Sequence, residues 1–148
     1  MVNVNTAFYS AHLIFAALWV GTTAFVTWGV LPLARNGDIN SNSLGFFSHR
    51  YSVISIISSL VLLFSGGHLA ATKYTFGSLQ TTTQGHLVLS MVVLWGLMTG
   101  VVQAGASILK KGVDDGKVRE PASSATNLFR IGTLIGLILL VVGVELVL

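Results

Sequence analysis

Four long apolar stretches, separated by short segments that hold nearly all of the charge, leave this chain few folds to choose from. Each has roughly the 20 residues needed to cross about 30 Å of hydrocarbon. Lipid offers the backbone no water, so each stretch must close its own hydrogen bonds as a helix. Only 9% of the residues are charged, against about a quarter in soluble domains, too few to coat a water-facing surface. The expected fold class is all-α: an integral-membrane four-helix bundle, one transmembrane domain over 1–148, with spans at about 6–33, 44–71, 85–109 and 123–148. The lipid bilayer is the first expected partner.

The punctuation agrees. Pro32 and the run Arg35-Asn36-Gly37-Asp38-Ile39-Asn40 should stop the first span, and the polar stretch Thr72–Gln84 should connect the second to the third. Asp114-Asp115-Gly116 lies in the charged loop Lys110–Glu120, and Pro121 suits a helix start. No Lys or Arg precedes the first apolar stretch, so it lacks the basic head of a signal peptide and is expected to remain as a span. Arg35, Arg50, Lys110, Lys111, Lys117, Arg119 and Arg130 fall at one end of the helices and Lys73 alone at the other. The positive-inside rule then puts both termini outside. The net charge of +3 reflects these basic loops and implies no nucleic-acid partner.

Three of the four histidines lie near the outer end of three different spans: His12, His68 and His86. Ionisable side chains inside a membrane are costly and mark a site by default, and imidazole is the commonest protein ligand for metals and haem iron. The expectation is a histidine-ligated centre in the outer leaflet. Trp19, two helical turns from His12 on the same face, would pack beside it, and the glycines of Ser65-Gly66-Gly67, just before His68, would let a helix or a flat macrocycle approach. Glu145, the only acid within an expected span, and Tyr9, one turn before His12, are the candidates to orient the ligands. The competing readings are an interfacial histidine above a packing tryptophan, ordinary glycine packing, a carboxylate reaching water, and an aromatic-belt tyrosine. His49, beside Arg50, is read as an anchor at the opposite interface.

Cysteine is absent, which excludes disulfides, thiolate metal sites, iron–sulfur ligation and covalently attached haem. Met1, Met91 and Met98 form no cluster of soft ligands for Cu(I). Ala11-His12-Leu13-Ile14 and Gly85-His86-Leu87-Val88 echo one another, as do Gly67-His68-Leu69 and Gly143-Val144-Glu145-Leu146. These echoes suggest two related helical hairpins. Gly96-x-x-x-Gly100 and Gly132-x-x-x-Gly136 are small-residue contact patterns for packing within the bundle or for a homo-oligomer. Thr22, Thr23, Thr27, Ser58 and Ser59 are expected to bond carbonyls of their own helices rather than line a permeation path.

His12-Leu13-Ile14-Phe15-Ala16-Ala17-Leu18-Trp19-Val20-Gly21, followed by Leu31-Pro32, resembles the opening helix of the copper-resistance protein D (CopD) family. The Gly-Gly-His ending at His68 suits the same resemblance. More broadly, the chain is similar to the four-helix membrane proteins of the oxygen-independent protoporphyrinogen oxidase (HemJ) type, thought to bind haem through histidine. The first resemblance implies copper handling and the second haem binding.

The leading expectation is haem b held by His12 and His68, with His86 left for a propionate, a second ligand set or a water, serving electron transfer or haem carriage or sensing. Lys73 is the one basic residue near enough to the outer surface to grip a propionate. The alternatives are a copper ion on all three histidines, for uptake or delivery, and a cofactor-free accessory subunit. No catalytic set is legible; were the chain an enzyme, a haem-dependent membrane oxidoreductase would fit.

Overall fold

A computed structural model describes residues 3–147; Met1, one of the three methionines weighed above, and Leu148, the expected end of the last span, lie outside the described residues. Among these residues, four helical stretches are long and apolar enough to cross a membrane: Val4–Asn36, Ser41–Lys73, Thr83–Asp114 and Arg119–Glu145. The protein is all-α, as its hydropathy requires, and the helices overrun the expected spans at most ends. Lipid needs about 20 apolar residues, but a helix already formed continues into the headgroup region until a cap or a special backbone angle ends it.

The first span is α1 (Val4–Phe25), one wide turn with π geometry (Val26–Val30) and α2 (Leu31–Asn36). Pro32, expected to stop the helix, widens it instead. Proline has no N–H for the carbonyl four residues back, and its ring collides with that carbonyl. The turn relaxes, and the Leu31 N–H reaches Val26 O, five residues away. The stop comes at Gly37, whose φ of 83° only glycine adopts freely; its N–H and that of Asp38 close on Ala34 O and Leu33 O. Asn40 then caps α3 (Ser41–Lys73), accepting from the Ser43 N–H at 2.8 Å.

The connection expected as a polar loop contains a short helix, α4 (Phe76–Thr81), because Thr75 and Ser78 form a capping box. Thr82 then caps α5 (Thr83–Asp114) through the Gly85 N–H. Gly116, at φ 71°, turns the chain into α6 (Arg119–Glu145). Pro121 sits in its first turn, where the missing N–H costs nothing.

Packing runs in a ring: α1 on α3, α3 on α5, α5 on α6 and α6 back on α1, with the α5–α6 and α1–α3 pairs the most extensive. Hydroxyl side chains are interleaved with the apolar ones in the interior. Leu44, Ser48, Tyr51, Ser55, Ser58, Leu62, Ser65 and Leu69 of α3 are buried, at alternating steps of four and three, while Ile56, Ile57, Leu63 and Phe64 face outward. With lipid outside there is no hydrophobic drive to pair helices, so small side chains and hydrogen bonds hold the bundle. Trp19 Nε1 donates to Ser55 Oγ at 2.8 Å and Gln103 Nε2 donates to the same oxygen at 3.2 Å. Thr23 and Tyr51 share a bond of 3.0 Å, and Thr27 and Thr133 one of 2.9 Å. The hydroxyls of Thr22, Thr23 and Thr27 also bond carbonyls of their own helix, as expected.

The two glycine patterns divide. Gly132 and Gly136 are buried, and a Cβ on Gly132 would come within 2.5 Å of Val102 Cγ1. Gly96 and Gly100 face outward with nothing within 4 Å of such a Cβ.

Candidate functional site

His12, His68 and His86 fall at the end of the bundle away from Gly37 and Gly116, with His49 at the other end, and α1 and α3 bring two of the three to one seam. Antiparallel packing pairs Tyr51 with Thr23, Ser55 with Trp19, and Ser65 with His12 as successive rungs. His12 Nδ1 lies 2.8 Å from Ser65 Oγ, and that hydroxyl donates to Val61 O at 2.6 Å. Gly66 makes the approach possible: a Cβ there would stand 3.0 Å from His12 Cε1. One turn further along α3, His68 reaches back to α1. Its Nε2–H donates to Asn5 Oδ1 at 3.3 Å, and its ring stacks on Phe8 with centroids 3.9 Å apart.

His86 is placed differently. It is exposed at the start of α5, where its Nε2–H donates to the Gln80 backbone oxygen at 2.9 Å and braces the α4 connection. Among the described residues, no three of His, Asp and Glu come close enough to hold a metal ion together. The three-imidazole cluster expected from the sequence is therefore not assembled. Two rungs of one helix pair hold His12 and His68, and His86 answers to its own connection.

The remaining candidates have other occupations. Trp19 is buried, but its N–H goes to Ser55, deeper in the bundle than the histidines. Gly67 faces outward with open space beside it, so of the two glycines expected to allow a close approach only Gly66 does so. Tyr9 is exposed with the Lys73 ammonium 5.2 Å over its ring, the arrangement of an interfacial aromatic. Glu145 is exposed at the end of α6 and makes no hydrogen bond or ion pair among the described residues.

Haem b finds no support in this arrangement. A macrocycle ligated by two imidazoles must lie between them, yet His12 is pressed on Ser65 and Gly66 and one face of His68 is covered by Phe8. The best-formed hollows, about 170 and 190 Å³, lie at the opposite end, lined by residues such as Phe25 and Phe47 or Lys111 and Pro121. Both are smaller than the roughly 300–1,000 Å³ of ordinary ligand pockets. Lys73, the cation considered for a propionate, is engaged with Tyr9.

Sequence reasoning gave no role to Asn5, Phe8 or Ser65. The signal for Ser65 is present: the four-three spacing that buries Ser48, Ser55 and Ser58 continues to it. Serine on the inner face of a membrane helix is a cross-helix bonding position.

Together these features define a multi-pass membrane four-helix bundle with a histidine-bearing seam between its first two spans. The model of the copper resistance protein D family matches residues 47–146. That is more than half of the chain, and the chain belongs to this family. The match takes in His68 and His86 but begins beyond the opening helix that first suggested the resemblance. No curated protein and no solved structure gave a match.

Proposed function

We propose that this protein binds a copper ion as cargo at the α1–α3 seam, through His12 and His68, for uptake or delivery across the membrane. One observation carries the reading. Two imidazoles from adjoining helices stand one rung apart, each tied to an oxygen of the opposite helix through one ring nitrogen, while the other nitrogen has no hydrogen-bond partner among the described residues. A ligand histidine is ordinarily held this way, by the nitrogen that does not bind the metal. Neutral imidazole suits copper, and two such ligands suit the low coordination number of Cu(I). Among the described residues the two methionines lie elsewhere: Met98 is fully buried where it would meet a Cβ on Gly136, and Met91 lies against Gly143 of α6. Membership of the family supports copper over other metals.

In this reading the histidine end faces outward, because seven of the eight basic residues gather at the other end, and copper enters from that side. Contact between copies would use the outward-facing Gly96 and Gly100, since Gly132 and Gly136 are committed inside the bundle. The test is metal analysis and a visible spectrum of protein purified in mild detergent and supplied with copper and haemin in separate experiments. The expected result is about one copper per chain and no haem band. A red protein with a sharp reduced spectrum would restore the haem reading, and a protein that holds neither would point to a cofactor-free subunit.

A further inference from the structure

We infer that Ser65 is a positioning residue that fixes His12 in its Nδ1–H tautomer and so presents Nε2 as the ligand atom. The inference rests on the copper reading for its purpose but on hydrogen-bond geometry for its content. Ser65 is 2% exposed, and its oxygen has two close neighbours, Val61 O at 2.6 Å and His12 Nδ1 at 2.8 Å. The hydroxyl has one proton to give. Two oxygens 2.6 Å apart with no proton between them would repel, and the Val61 carbonyl can only accept, so the serine proton lies on that line. Ser65 Oγ can then only accept from His12, which requires the proton on Nδ1. In the neutral ring Nε2 is left with its lone pair bare.

The other two imidazoles are held in the opposite sense. The Nε2–H of His68 donates to a side-chain amide oxygen and that of His86 to a backbone oxygen, so their bare nitrogen is Nδ1. The seam thus offers one Nε2 from α1 and one Nδ1 from α3, a mixed pair that follows from which oxygen faces which ring. Gly66 completes the device, because a Cβ there would crowd the ring at 3.0 Å from Cε1.

Nitrogen-15 NMR of histidine-labelled, metal-free protein in bilayers reads this directly, since the protonated and bare ring nitrogens resonate far apart. There are four histidines, so the loss of one signal set in a His12→Gln protein assigns His12. The wild type should show Nδ1 protonated and Nε2 bare. Ser65→Ala should lose that preference while keeping its helical content, and Ser65→Thr, which keeps the hydroxyl, should restore it. Cu(I) affinity, measured against a competing chelator, should fall about 10–100-fold in Ser65→Ala and recover in Ser65→Thr. A wild-type His12 protonated on Nε2, or a tautomer unmoved by Ser65→Ala, would overturn the inference. Wild-type protein that shows the expected tautomer but takes up no Cu(I) would reject the copper reading while leaving the tautomer assignment in place. The two failures are therefore distinguishable.

Discussion

Ser55 and Ser58 stand one turn apart on the inner face of α3 and should respond to the same substitution in opposite ways. Ser55 Oγ accepts from both Trp19 and Gln103; losing it strands the buried donor of Trp19 and the half-buried one of Gln103. Ser58 Oγ is the one buried side-chain polar atom among the described residues with no partner. Unmade buried hydrogen bonds cost about 1–3 kcal/mol. Ser55→Ala should therefore destabilise by about 2 kcal/mol, and Ser58→Ala should be neutral or stabilise by about 1 kcal/mol. Reversible unfolding in mixed micelles measures both, and equal losses would mean that Ser58 is bonded after all. At this scale the sequence shows residue types but not partners. His12 and His68 stand out because an ionisable group in an apolar run is conspicuous. Ser65, Asn5 and Phe8 are ordinary residues made important only by the register between α1 and α3, which no local pattern states. Gly66 and Gly67 read alike for the same reason: one residue is about 100° around a helix, and only the packed structure says which glycine faces the neighbour.

Among the elements, glycine position decides the outcome. On Gly132 an added methyl meets the fully buried Val102, whereas on Gly96 it meets open space. Gly132→Ala should cost about 1–3 kcal/mol from overpacking. Gly96→Ala should gain up to about 1 kcal/mol from helix propensity unless copies of the protein pack there. Unfolding of both variants, with the oligomeric state of Gly96→Ala determined in parallel, checks the pair. Helix existence and order are legible in hydropathy alone, because lipid imposes a length and a composition on every span. The π turn at Pro32 and the extensions past the bilayer are not, since they depend on how strained or capped backbone resolves locally. The capping box Thr75–Ser78 was readable, but a polar connection between two spans gave no reason to look for a helix in it.

The whole molecule is a ring of antiparallel helices with three of its four histidines at one end and most of the positive charge at the other. Its orientation rests on the charges. Cysteines placed at Ser78 and Gly116 should label from opposite sides of intact cells, Ser78→Cys from outside; labelling of Gly116→Cys alone by an impermeant reagent would invert the bundle. Bundle architecture followed from the sequence, but the expected meeting of three histidines did not, because nearness along the membrane normal is not nearness around the ring. His86 shares an end with His12 and His68, yet it sits on α5 and turns to the α4 connection. The central claim is that copper is held by nitrogen from α1 and α3. X-ray absorption at the copper edge, on protein loaded with one equivalent of Cu(I), tests it most directly. Imidazole nitrogen alone should surround the metal in the wild type and in His49→Ala, and bound copper should be lost in His12→Ala and in His68→Ala. A sulfur shell from methionine, or an unchanged nitrogen shell in both the His12→Ala and His68→Ala proteins, would contradict it.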